Sequence, residues 1–132
     1  MNKIERFEDI IAWQKARELT RQIYASSKAG EFARDFGLRD QIQRASVSTM
    51  GNIAEGFERG GDKEFIQFLS HSKGSSGEVK SHLYVALDQH YVTDQQFKQL
   101  YHQADEVSRL VAGFMGYLQQ SALRGHKFKR PN

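Results

Sequence analysis

Between Gly37 and Phe57 the residues Leu38, Ile42, Ala45, Thr49, Ile53 and Phe57 recur at steps of three and four, the spacing of one face of an α-helix. A helix with such a face cannot bury it alone, so the remainder of the chain must supply partners. A second row, Val47, Met50 and Ala54, widens the apolar arc beyond what one neighbouring helix covers, while Arg39, Asp40, Gln43 and Arg44 keep the other side polar at one end. This helix is therefore expected to touch more than one neighbour. Gly51 and Gly56 fall inside the pattern, each at a cost of about 1 kcal/mol relative to Ala. Small size is expected to serve close backbone approach at these positions; for Gly56 the alternative is the C′ residue of the helix, ahead of the turn EGFERGGD.

The same periodicity recurs on both sides. From Phe7 to about Ser27, Ala12, Ala16, Leu19 and Ile23 form one row with Trp13, Thr20 and Tyr24 beside it, and Arg17, Arg21 and Lys28 form an outer, solvated basic face next to Glu18. The connection SSKAGEFARDF is expected to tuck Phe32 and Phe36 under the end of the bundle. ERGGD then breaks the second helix, with Asp62 as the expected N-cap of the third. By composition SHSKGSSG, residues 70–77, looks like a flexible linker. The apolar phase argues otherwise: Phe65 and Leu69 reappear fourteen residues on as Val79 and Leu83, close to four helical turns. Ser72 and Ser76 share that face, which predicts a continuous helix to about Gln89 crossing a neighbour closely, against Gly51 and Ala54. Thr93 and Gln96 make a capping box, followed by Phe97, Leu100, Tyr101, Ala104, Val107, Val111, Phe114 and Leu118, with an end near Gly125. Four helices, three short connections and no sustained alternating pattern predict an all-α, up-down-up-down four-helix bundle over residues 1–123, followed by a basic, flexible tail over 124–132.

The formal net charge of +3 belongs to that tail. Arg124, Lys127, Lys129 and Arg130 lie there with no acid among them, so the remainder is near neutral and a uniformly basic groove within one subunit is not expected. Absence of cysteine excludes a disulfide framework, a thiolate metal site and a cysteine nucleophile. The charged start MNKIERFEDI and the lack of a long apolar run support neither export nor a membrane span, in keeping with a cytoplasmic location. A bundle could house a dinuclear metal centre, but the acid-x-x-His pairs that centre needs are missing. His71, His82, His90, His102 and His126 are scattered, and no phosphate loop or Ser/His/acid arrangement is present. No cofactor, metal or catalytic residue is expected, and the chain is not read as an enzyme. Asn52 and Glu55 are expected to form either a buried hydrogen-bond pair or a contact between subunits.

The run QIQRASVSTMGNIAEGFERG resembles the signature of the four-helix-bundle family of proteins encoded in 23S rRNA intervening sequences, close to QIRRAxxSIxxNIAEGxxR. Phe7-Glu8-Asp9 with Trp13-Gln14-Lys15-Ala16 resembles the family's opening, Phe36-Gly37-Leu38 the start of its second helix, and Glu64-Phe65 through Phe68-Leu69 to Gly74-Ser75 and Glu78 its third. Gln43 departs from the first Arg of the usual pair, and Thr49-Met50 from the usual central Ile. The resemblance implies a homo-oligomer, a pentameric ring, and association with nucleic acid, with relatives that include the accessory protein of the reverse transcriptase in diversity-generating retroelements. Expected partners are therefore a second copy, RNA or single-stranded DNA, and a protein such as a reverse transcriptase. Val47, Met50, Gly51, Asn52, Ala54 and Glu55 are the candidate oligomer or packing interface, the apolar row being too wide for one seam. Arg124, Lys127, Phe128, Lys129 and Arg130 are the candidate nucleic-acid contacts, four cations to follow phosphates and one ring to stack on an unpaired base. The alternative is a protein-interaction scaffold with no nucleic-acid role.

Overall fold

Four amphipathic segments fold as four helices: α1 (Ile11–Ser27), α2 (Phe36–Glu58), α3 (Asp62–Asp88) and α4 (Asp94–Gly125). The structure, a computed structural model, describes residues 3–125, with side chains to residue 121, and no strand occurs among the described residues. Hydrogen bonds and ring contacts fix the directions. Thr20 meets Ser46 while Ser27 meets Gln43; Ser48 meets Ser75 while Phe57 meets Phe65; Ser76 meets Ser108 while Tyr84 meets Phe97. In each pair one number rises as the other falls, so successive helices run antiparallel. Lys15 on α1 reaches Glu106 on α4 and closes the ring of four. This is the expected four-helix bundle.

Its core joins the inward rows of all four helices. Leu38, Ile42, Ala45 and Ile53 of α2 are buried with Leu19 and Ile23 of α1, Leu69, Val79 and Leu83 of α3, and Val107 and Val111 of α4 in one cluster. Phe57, Tyr101 and Phe114 close it as half-buried side chains. Such burial removes apolar surface from water at roughly 25 cal/mol per Å² and is the principal force holding the helices together.

The serine-rich stretch of α3 is helical throughout, as its phase predicts. Ser72 is fully buried and its hydroxyl donates to the Thr49 carbonyl at 2.6 Å. Ser75 and Ser48 share a hydroxyl bond of 2.9 Å, and Ser76 and Ser108 one of 2.6 Å. The close crossing therefore falls on Ser48 and Thr49, not on Gly51 and Ala54. Gly51 faces open space, with nothing within 4 Å of a Cβ built there. Gly56 does permit a close approach, since its Cβ would stand 2.7 Å from Phe68 Cβ and 2.9 Å from Phe65 Cδ1. It is not the C′ residue: α2 continues to Glu58 and the left-handed position is Gly60, at φ +85°.

Three local expectations are corrected. The opening is a separate 3-10 turn, Phe7–Asp9, because Ile10 is extended at φ −78° and ψ 120° before α1 begins. Two backbone N–H groups, of Glu5 and Arg6, bond the Asp9 carboxylate there and hold its pKa below the ordinary value. Gly61, not Asp62, is the N-cap of α3; Asp62 and Glu64 stand in its first turn, where negative charge suits the helix dipole. Phe32 is buried, but Phe36 is 63% exposed and lies beneath the Arg39 guanidinium at 4.8 Å. The capping box on α4 is as expected: Thr93 Oγ1 accepts from the Gln96 N–H at 3.1 Å and Gln96 Oε1 accepts from the Thr93 N–H at 2.8 Å. Asp35 ties together the two connections at one end of the bundle, capping α2 through the Leu38 N–H and accepting from the Tyr91 hydroxyl at 2.9 Å.

Candidate nucleic-acid and subunit interface

Helical geometry divides the predicted interface set of α2 into three edges. Val47, Gly51 and Glu55 point outward and are exposed. Met50 and Ala54 are half-buried on the side facing α1, beyond Ser46, whose carbonyl accepts from Thr20. Asn52 is half-buried on the side facing α3, where Ser48 bonds to Ser75. Asn52 and Glu55 do not make the buried pair considered from sequence. The Asn52 amide donates within α2 to the Ser48 carbonyl at 2.8 Å, whereas Glu55 pairs with Arg59 at 2.8 Å on the surface. The Arg59 pKa is raised by that hydrogen bond and by the carboxylate charge.

The α1–α2 edge holds the most distinctive arrangement of charge. Arg17, Thr20, Arg21, Tyr24, Ala25 and Lys28 of α1, with Met50 of α2, line a groove of about 460 Å³, and no carboxylate is among the lining residues. Trp13, Arg17, Arg21, Tyr24 and Lys28 follow one another at steps of four, four, three and four, so they form one stripe along the helix. The Arg17 guanidinium lies 5.8 Å above the Trp13 ring and Lys28 Nζ lies 5.6 Å above the Tyr24 ring. Glu18 is the nearest counter-charge, 3.1 Å from Arg21 and bonded also to Gln22. All three cations are exposed, and an exposed pair such as Glu18–Arg21 contributes at most about 1 kcal/mol, so Arg21 can exchange Glu18 for another anion.

Sequence reasoning placed these cations on the outer face of helix one and missed the groove. Its signal was present in two rings and three cations at helical steps along one stripe; the floor supplied by Met50 depends on how α2 packs and is not local. Of the predicted nucleic-acid contacts, Arg124 lies on the last described turn of α4, and Lys127, Phe128, Lys129 and Arg130 lie outside the described residues. His71, His90 and His102 are exposed. His82 Nε2 is buried without a hydrogen-bond partner, 3.8 Å from Glu78. Among the described residues no three His, Cys, Asp or Glu side chains gather closely enough to hold a metal ion, and no helix is long and apolar enough to cross a membrane.

Fold and surface together define a four-helix-bundle protein with its charge features on helix edges. Within that class the chain belongs to the 23S rRNA-intervening sequence protein family, which matches residues 8–113. Its fold is similar to that of a crystal structure of a Bacteroides thetaiotaomicron protein of unknown function from the S23 ribosomal protein family, with TM-score 0.73 and 20% sequence identity over 80% of this chain and 98% of that one. No curated protein matches the chain.

Proposed function

We propose that this protein is a non-catalytic homo-oligomer, a closed ring of five, that associates with nucleic acid and prefers RNA or single strands, serving as an accessory factor to a protein such as a reverse transcriptase. The observation that carries the nucleic-acid part is the α1–α2 groove, rimmed by Arg17, Arg21 and Lys28 without a carboxylate in its lining. Polyanion binding needs exposed cations that can reach phosphate, here Arg17, Lys28 and, on exchanging Glu18, Arg21, because affinity comes largely from counterions released by phosphate contacts. Arg124, Lys127, Lys129 and Arg130 add a second cation group in the sequence. Support for self-association comes from the outward row of α2, where Val47 is 46% exposed beside open Gly51. That row offers a second copy an exposed apolar side chain next to a flat glycine, with the Glu55–Arg59 pair at its end.

Sedimentation equilibrium of the full chain tests the assembly, with a multiple of 15.2 kDa expected. A monomer at micromolar concentration contradicts it. Fluorescence anisotropy with a labelled single-stranded RNA tests the ligand, first with the full chain and then with Arg124, Lys127, Lys129 and Arg130 all changed to Gln. Four tail phosphate contacts correspond to a single-strand salt slope of about −2.8, which the neutralised variant should lose. Tight capture of a protein partner together with no affinity for nucleic acid would replace this reading by a scaffold.

A further inference from the structure

The structure assigns a specific seat for single-stranded nucleic acid: the stripe Trp13, Arg17, Arg21, Tyr24 and Lys28 on α1, with Met50 of α2 as the floor beside it. This inference rests on the nucleic-acid reading above and adds where and how the strand lies.

The stripe covers fifteen helical steps from Trp13 to Lys28, or about 22 Å of helix axis. That length accommodates several nucleotides, within the range of about 4–16 that single-strand sites occupy. Along it a ring is followed by two cations, then a ring and a third cation, and each has a task in holding a single strand. Arg17, Arg21 and Lys28 are exposed and can follow successive phosphates. Trp13 and Tyr24 are half-buried; Trp13 packs against the core, and the outer parts of both rings remain available to a base. Trp13 is further held by Phe7, whose ring meets it edge-on at 5.1 Å, and ordering that ring in advance lowers the entropy lost on stacking. Arg17 over Trp13 and Lys28 over Tyr24 leave each ring next to a cation, the pairing that stacking and phosphate contact require together. Thr20 does not compete as a polar contact, since its hydroxyl donates to the Ala16 and Ser46 carbonyls.

A duplex fits this surface less well. Its bases are paired and stacked internally, so Trp13 and Tyr24 would gain nothing, and a single stripe along one helix offers cations to one strand only. An acidic protein helix would satisfy the three cations but has no use for the two rings. The arrangement thus favours an unpaired strand without base-edge readout and hence with weak sequence preference.

The test is fluorescence anisotropy of a labelled oligouridylate twelve-mer with the full chain across a salt series. The variants are a groove triple, Arg17→Gln, Arg21→Gln and Lys28→Gln; a charge-matched control, Lys63→Gln, Lys73→Gln and Lys98→Gln; and Tyr24→Leu. Each loses no buried group other than the inner edge of Tyr24, and circular dichroism verifies the fold. Three lost phosphate contacts should flatten the single-strand salt slope by about 2 and weaken binding on the order of a hundredfold at 0.1 M salt. The control should change affinity only a few-fold. Tyr24→Leu should weaken binding roughly tenfold with the slope unchanged, as a lost stacking contact does. If the full chain binds but the triple falls no further than the control, the groove is not the seat and the nucleic-acid reading survives through the tail. If the full chain does not bind at any salt, both fail. If an oligoglutamate peptide displaces the strand as well as unlabelled oligouridylate does, and Tyr24→Leu has no effect, the groove is an acidic-peptide site and the assignment is overturned.

Discussion

Helix α2 has two seams of opposite character. Toward α3 it is closed: Ser72 reaches the Thr49 carbonyl at 2.6 Å, Ser48 and Ser75 bond, and Gly56 admits the Phe65 and Phe68 side chains. Toward α1 it is bridged by Thr20–Ser46 and Gln43–Ser27 hydrogen bonds and then opens into a groove over Met50. Small side chains serve both contacts, but toward α1 they leave a groove over Met50. The difference shows how one helix can carry two kinds of edge: the closed seam gives the fold its tightest packing, and the open one leaves cations and rings accessible.

Gly56 and Gly51 of α2 break this comparison most directly. Gly56→Ala puts a Cβ 2.7 Å from Phe68 Cβ, an atom fixed close to the α3 backbone, so α2 and α3 must move apart. Overpacking of this type costs about 1–3 kcal/mol, partly offset by better helix propensity. A net loss of up to about 2 kcal/mol is expected in urea unfolding. Gly51→Ala meets no atom within 4 Å and should gain up to about 1 kcal/mol from propensity alone. A loss at Gly51 would indicate that this outward row packs on another copy, which sharpens the assembly proposal. Ser72→Ala removes the buried hydroxyl bond to Thr49 and should cost about 1 kcal/mol; no change would mean that the seam is held by shape alone.

The smallest effect is expected at the end of the open seam, where Tyr91 bonds Asp35 and stacks on Phe32 at 5.4 Å. The hydrogen bond to Asp35, then burial and the Asp35 charge, raise the Tyr91 pKa above its ordinary value of 10.0. A raised folded-state pKa means that this contribution is fully present below the unfolded value and is lost as pH rises through the folded one. Thermal unfolding should therefore show an alkaline decline above about pH 10 that Tyr91→Phe diminishes. An identical decline in the variant would remove Tyr91 as its source.

Much of this organisation was legible in residue spacing. The rows Ala12, Ala16, Leu19, Ile23 and Leu38, Ile42, Ala45, Thr49, Ile53 are all buried, because a 3.6-residue period translates directly into a face. Phase continuity also recovered α3 across SHSKGSSG, where composition alone misleads: serine is unfavourable as exposed helix but useful where its hydroxyl bonds a carbonyl across a close crossing. The partner of that crossing was not legible, since the register of α3 on α2 is decided by three-dimensional packing. Gly51 and Gly56 look alike in sequence and differ only in whether α3 lies against them. Phe36 was misplaced for a related reason: the connection buries one aromatic ring, and Phe32 occupies that position with Tyr91. The groove needed both kinds of information, a stripe visible in the sequence of α1 and a floor contributed from α2.

The central functional claim is that the open seam holds an unpaired strand. Photo-cross-linking of a 4-thiouridine-substituted oligouridylate to the full chain, with mass-spectrometric mapping of the linked peptides, tests it directly. The account predicts cross-links on the α1 peptide containing Tyr24 and on the α2 peptide containing Met50. Cross-links confined to the opposite side of the bundle, at the aromatic ledge of Tyr84, Phe97 and Tyr101, would contradict it.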